Sequence, residues 1–265
     1  MHARWSAPWF SPYRHRLLAL DDHLAAGRWD ACVARLNAWA EDAGLVNGNG
    51  RPLRFVPGDA AGDQAYEAHV WATGGVPTRA GGPGGWHDLF NALVWLAFPR
   101  TKARLNRLQA QVIAADGIGA ERGGLRDAAT LFDENAALFV TRDRALADAL
   151  RAFDWSALFV GGRERFVREV RVLVFGHALL DKLRAPYKSA CAHAWLLDAS
   201  PHDDVDALAA AALDAGSLRS AAFAPLPVLG IPGWWAGNAE PGFYDDPQVF
   251  RPGRRTGPRR TTWTS

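Results

Sequence analysis

The segment from Trp86 to Phe98 restricts the fold of this chain more than any other. It reads Trp-His-Asp-Leu-Phe-Asn-Ala-Leu-Val-Trp-Leu-Ala-Phe and lies between the glycine-rich stretch Gly81-Gly82-Pro83-Gly84-Gly85 and Pro99. Glycines ahead and a proline behind punctuate a helix, and the apolar residues between them recur at helical spacing. On that helix His87, Phe90, Asn91, Val94 and Phe98 share one face. An imidazole and a carboxamide therefore lie inside an apolar stripe, and each needs a hydrogen-bonding partner if buried. Asp88 falls in the first turn, where a carboxylate suits the helix dipole. Two readings of the pair stay open. They are core residues satisfied by their neighbours, or they form a functional pair with His87 as base or metal ligand.

The rest of the sequence indicates a helix-rich α+β chain. Helices are expected at 15–26, 28–43, 101–115, 142–153, 163–184, 188–198 and 202–215. Leu45–Val46 and Leu53–Val56 flank Asn47-Gly48-Asn49-Gly50 and are expected to pair as a hairpin. A second hairpin is expected from Thr130–Phe132 and Ala137–Val140 around Asp133-Glu134-Asn135-Ala136. The segment 65–72 is a short strand or a helical turn, and Leu226–Leu229 is a strand. No linker or repeat divides the chain, so residues 1–252 are expected to form one globular domain, with 253–265 a basic, disordered tail.

Composition excludes several function classes. The formal net charge is +2, which gives no reason to propose a nucleic-acid partner. No run of about eighteen apolar residues exists to cross a bilayer, and the first residues lack the apolar centre of a signal peptide, so a cytoplasmic location is expected. Cys32 and Cys191 make no disulfide framework and read as packed thiols. Twelve tryptophans are an excess that a Trp-rich core would absorb, with a stacking surface as the alternative. Only three of the thirty cationic residues are lysines, Lys102, Lys182 and Lys188. A lysine kept against such a bias suggests a need for a compact ammonium.

Four further segments could carry chemistry. On a helix covering 163–184, His177 interrupts an apolar face, Gly176 beside it allows a close approach, and Asp181 at i+4 is placed to orient the imidazole. Arg126-Asp127 and Asp133-Glu134-Asn135 read first as turn residues. In the functional alternative Asp133 or Glu134 supplies a carboxylate to the histidines, and His87, His177, Asp133 and Glu134 are candidate ligands of a divalent metal. Pro186-Tyr187-Lys188 joins a phenol to a rare ammonium, a pair able to hold an anion. The aromatic segment from Gly230 to Pro252 wraps the core or lines a pocket. The glycines at 81–85 lack a P-loop ending and are a weak phosphate signal.

Several stretches taken together resemble the bacterial family catalogued as domain of unknown function 3025 (DUF3025). They are Trp86 to Trp95 continuing through Phe98-Pro99-Arg100-Thr101-Lys102, Arg126-Asp127-Ala128, and Leu131-Phe132-Asp133-Glu134-Asn135. Gly176-His177-Ala178-Leu179, Pro186-Tyr187-Lys188, Gly230-Ile231-Pro232-Gly233-Trp234 and Phe243-Tyr244-Asp245-Asp246 complete the set. The resemblance covers nearly the whole chain and implies no activity, cofactor or catalytic residue.

Residue chemistry alone therefore frames two hypotheses. In the first, the chain is a hydrolase or transferase acting on a small anionic molecule, with or without a divalent metal. His87, His177 and Asp133 then do the chemistry, and Asn91, Arg126, Lys182, Tyr187 and Lys188 bind the substrate. In the second, the protein is a non-catalytic binding or scaffolding protein whose polar residues only knit loops to helices. The distance between the two imidazoles separates the hypotheses.

Overall fold

The computed structural model describes residues 2–116 and 124–253; the tail expected beyond 253 lies outside them. Helices α1 (Arg14–Ala25) and α2 (Trp29–Asp42) open the chain. Then come strand β1 (Arg54–Pro57), helix α3 (Tyr66–Thr73) and strand β2 (Gly75–Thr78). Helices α4 (Gly85–Ala97), α5 (Pro99–Asp116) and α6 (Gly124–Asn135) lead into strand β3 (Ala136–Val140). Helices α7 (Arg144–Ala152) and α8 (Arg163–Glu169) precede strand β4 (Arg171–Val174). Helix α9 (His177–Lys182), strand β5 (Cys191–Leu197), helix α10 (Val205–Ala212) and strand β6 (Phe223–Pro227) follow. The fold is α+β, with a four-stranded sheet in the order β4-β3-β5-β6 and a separate parallel pair, β1-β2.

Four of the expected elements fold differently, where tertiary packing or pairing overrides local propensity. The hairpin expected around Asp133 is the end of α6, whose Ala128, Ala129 and Phe132 are buried at helical spacing, and only Ala136–Val140 is a strand. The single helix expected over 163–184 is broken by β4, where Val172 and Val174 lie in an antiparallel pairing with β3. The helix expected over 188–198 is β5, the strand that pairs with β3 on one side and β6 on the other. The hairpin expected across Asn47–Gly50 shrinks to a single antiparallel bridge, Val46 to Pro52. Residues 54–57 pair parallel with β2 instead.

One continuous apolar core runs from Trp5 to Phe250. Trp5, Trp9, Trp95, Trp155 and Trp195 are buried in it, and Trp29, Trp39, Trp86 and Trp234 pack against it. Most of the tryptophan excess is therefore core. The aromatic C-terminal segment also wraps this core. Asn238 donates to the carbonyls of Leu229 and Ile231, and the Arg163 guanidinium donates to the Asn238 carbonyl and to its Oδ1. Cys32 is buried, but Cys191 is exposed, contrary to the expectation of a packed thiol. No helix among the described residues is long and apolar enough to cross a membrane.

Candidate functional site

Two tight chain passages bring the site together. The first is the end of α6, which continues into β3 without a loop. The Ala136 carbonyl accepts from the backbone N–H groups of both Phe175 and Gly176, at 2.9 and 2.8 Å. A side chain at 176 would press on the neighbouring backbone, because a Cβ there would come within 2.5 Å of the Glu134 carbonyl oxygen and the Asn135 nitrogen. The absence of that side chain lets α9 begin against the last turn of α6, so His177 stands at the first position of α9 under Asp133. The second passage is the entry to α4. Gly84 caps it with φ +90°, and the Asp88 carboxylate takes the Arg79 backbone N–H at 2.8 Å and its guanidinium at 2.6 and 2.8 Å. This bidentate pair ties the glycine-rich stretch down and fixes the first turn of α4, where His87 sits.

The two imidazoles meet. His87 Nε2 and His177 Nε2 are 3.0 Å apart, with the rings inclined at 74°. His177 Nδ1 lies 2.7 Å from the main-chain oxygen of Asp133, which can only accept, so Nδ1 carries the hydrogen. Burial pushes the His177 imidazole down to about 4, against the opposing pull of the Asp133 carboxylate. His177 is thus neutral near pH 7 and its Nε2 is a bare acceptor. In the 3.0 Å contact the donor is then His87 Nε2–H. Neutral His87 has its lone pair on Nδ1, which has no hydrogen-bond partner among the described residues.

Behind His177 the polar chain continues. Asp133 Oδ1 accepts from Lys102 Nζ at 2.6 Å, Lys102 Nζ also donates to Asn91 Oδ1 at 2.9 Å, and Asn91 Nδ2 donates to the Tyr66 hydroxyl at 2.7 Å. Lys102, Asp133 and Asn91 are 3, 6 and 5% exposed, so each depends on the others for its hydrogen bonds. Burial pushes the Asp133 carboxyl up, but the Lys102 ammonium and His177 outweigh it and hold the group below the ordinary carboxylate range. Burial, with the Glu67 and Asp133 carboxylates beside it, raises the Tyr66 phenol well above its usual value. Burial also pushes Glu67 up to about 7, aided by Asp133 and opposed by Lys102 and an Asn106 hydrogen bond.

These groups line one cleft of about 630 Å³. His87, Asp88, Asn91, Arg126, Asp133, Glu134 and His177 are in its wall, as are Tyr66, Glu67 and Arg79. The family described as protein of unknown function (DUF3025) matches residues 53–254. The chain belongs to that family. No curated protein matches this chain, and no solved structure does. The DUF3025 match spans every residue that lines the cleft, from Gly58 to His177.

In this DUF3025 chain several residues singled out from the sequence stand away from the cleft. Lys182 is exposed and reaches Asn135 Oδ1 at 3.3 Å. Tyr187 is 49% exposed, and Lys188 pairs with Asp246 at 3.0 Å. All three lie beyond the start of α9, which ends at Lys182; the DUF3025 cleft is lined instead by residues up to His177. Asp181 does not orient His177: it pairs with Arg184 at 2.8 Å, and the peptide oxygen of Asp133 takes that part. Asn91 lines the cleft with both ends of its amide already engaged.

The metal set His87, His177, Asp133 and Glu134 does not converge. The imidazole Nε2 atoms are within direct hydrogen-bonding distance, and Asp133 lies on the opposite, Nδ1, side of His177. Among the described residues no three His, Cys, Asp or Glu side chains are grouped to hold a metal ion.

Sequence reasoning did not assign Lys102, Glu67 or Tyr66 to the site. For Lys102 a signal existed, the scarcity of lysine. Glu67 and Tyr66 sit in a segment whose very type, strand or helical turn, was open.

Proposed function

We propose that the cleft is the active site of a hydrolase or group-transfer enzyme that acts on a small anionic substrate, with His87 as general base. The observation that carries this is the contact between the imidazoles, in which a buried, neutral His177 accepts from His87 Nε2, while Nδ1 of His87, a residue that lines the cleft, has no hydrogen-bond partner among the described residues. A base must be held in one tautomer with its lone pair toward the proton it removes. Here the Asp133 carbonyl fixes His177, and His177 fixes His87. When His87 takes up a proton, its Nε2–H still has an acceptor in His177, and the ionised Asp133 behind the ring favours the new positive charge.

The anionic character of the substrate is supported by Arg126. Arg79 is committed to Asp88 and Lys102 to Asp133, whereas Arg126 lines the cleft with no ion pair or hydrogen bond among the described residues. A guanidinium offers a planar fork to a carboxylate or phosphate.

Diethyl pyrocarbonate acylates imidazole lone pairs and tests the reading without a known substrate. His87 is expected to react fastest of the eight histidines. His177→Gln should slow it, inorganic phosphate should protect it in the wild type, and Arg126→Gln should abolish that protection. If His87 reacts no faster than the exposed His202, and neither His177→Gln nor phosphate changes its rate, the proposal falls.

A further inference from the structure

We propose that Glu67 is the second acid–base group of the cleft, the carboxyl that protonates the leaving atom while His87 deprotonates the attacking water; this rests on the acid–base reading above. Glu67 lines the same cleft as His87, from α3. Its carboxyl is held in place by α5. Asn106 Nδ2 donates to Oε2 at 3.0 Å and to the Glu67 main-chain oxygen at 3.0 Å. The Gln109 amide lies against the same carboxyl, 3.2 and 3.3 Å from Oε2 and Oε1. A carboxyl fixed by two amides and open to the cleft has the positioning that proton donation needs.

The charge inventory decides which carboxyl keeps a proton. Around Glu67 stand Asp133 from α6, Lys102 from α5 and Tyr66 beside it on α3, with Asp88 of α4 already paired to Arg79. Two carboxyls, the buried Asp133 and the half-buried Glu67, therefore face one buried ammonium. Lys102 gives its hydrogen bonds to Asp133 and Asn91, not to Glu67. Asp133 can stay ionised at little cost, and Glu67 lacks a cation of its own. Burial and the Asp133 charge push Glu67 up to about 7, the range in which a group is both protonated and able to give the proton away.

Hydrolysis then balances as a single proton circuit. His87 Nδ1 takes a proton from water while the water oxygen bonds to the electrophilic atom of the substrate. The bond from that atom to the leaving oxygen breaks, its electron pair stays on the leaving oxygen, and the Glu67 carboxyl gives that oxygen its proton. The His87 proton returns to the Glu67 carboxylate through water in the cleft.

Two measurements on the full chain test this. Infrared difference spectra of wild type against Glu67→Gln, between pH 5 and 9, should show a protonated-carboxyl band that titrates near 7 and is missing from the variant. A band absent at pH 6 would overturn the proposal while leaving fast diethyl pyrocarbonate reaction at His87, and hence the base, intact. The second measurement uses phenyl and p-nitrophenyl esters of phosphate and of succinate as anionic probes. Loss of a proton donor hurts the poor leaving group most, so Glu67→Gln should slow the phenyl esters by about 10²-fold and the p-nitrophenyl esters far less. Equal slowing of both would refute Glu67 as donor. Turnover of none of the four esters by wild type would refute the acid–base reading itself, together with this inference.

Discussion

Replacing Lys102 with Met probes the buried centre of the site most directly. The ammonium is held at 2.6 Å from Asp133 and 2.9 Å from Asn91, with side-chain exposures of 4% for Lys102 and 9% for Asp133. Methionine fills much of the same volume and removes the charge. The carboxylate is then left buried without a partner, which costs about 3–5 kcal/mol, and Asn91 Oδ1 loses its donor as well. A net loss of about 4 kcal/mol at pH 7 is expected, a large fraction of the stability of an ordinary domain. The pH dependence carries the sign. In the wild type Asp133 is held below the ordinary range, so its stabilisation is complete above the unfolded carboxylate value and is lost as pH falls through the folded value. Without Lys102 burial prevails, and the Asp133 carboxyl rises above the unfolded value. The variant then recovers stability relative to wild type as pH falls from 7 to 5, by about 1–2 kcal/mol. Glu67, which Lys102 also holds down, moves the same way. Urea unfolding followed by tryptophan fluorescence reads both numbers, provided the slope with denaturant stays constant. Adding Asp133→Asn to Lys102→Met should restore part of the loss. A penalty below about 1 kcal/mol at pH 7, with the same gap at pH 5, would refute the account of a charge pair that supports its own burial.

Three other outcomes are expected. His177 titrates at about 4 when folded against an ordinary 6.5, so the unfolded chain binds a proton that the folded chain does not, and stability falls as pH drops from 6.5 toward 4 by roughly 3 kcal/mol; His177→Gln should flatten that limb of the urea-midpoint profile. Glu67 has the opposite sign. Its folded value is raised, so stability falls as pH rises from about 4.5 to 7 by roughly 3 kcal/mol, and Glu67→Gln should remove this slope in the same measurement. Gly176→Ala forces a Cβ against the Glu134 and Asn135 backbone; it should cost about 2 kcal/mol and slow the reaction of diethyl pyrocarbonate at His87, whereas wild-type values in both assays would contradict the packing described for that turn.

The helical stripe of α4 was legible because its apolar residues, glycines and Pro99 all agreed, and it carried His87 and Asn91 with it. His177 stood out for the same reason, an imidazole among apolar residues, although the helix inferred around it is interrupted by the strand β4. Its periodicity came from the alternation of β4 followed by one turn of α9, which mimic a helical stripe over a short window. The Gly176 approach was readable as a possibility; what approaches, the end of α6, depends on the pairing of β3 with β4 and is a non-local fact. Asp133 was found as a carboxylate but placed in a turn, since Asp-Glu-Asn favours turns locally and only the burial of Phe132 reveals a helix. The partners Lys102, Glu67 and Tyr66 come from two different elements, α5 and α3, and no spacing rule links residues 66, 91, 102 and 133. Lys182 and Lys188 shared the rarity of Lys102, and composition alone gave no means of choosing among them.

The oxygen that orients His177 belongs to the peptide group of residue 133, not to its side chain. Every amino acid at 133 would supply it, so a complete substitution scan at that position would report on the carboxylate and stay silent about the imidazole's alignment. That alignment is written into the path of the main chain, and its genetic handle is position 176, where any side chain pushes the two segments apart.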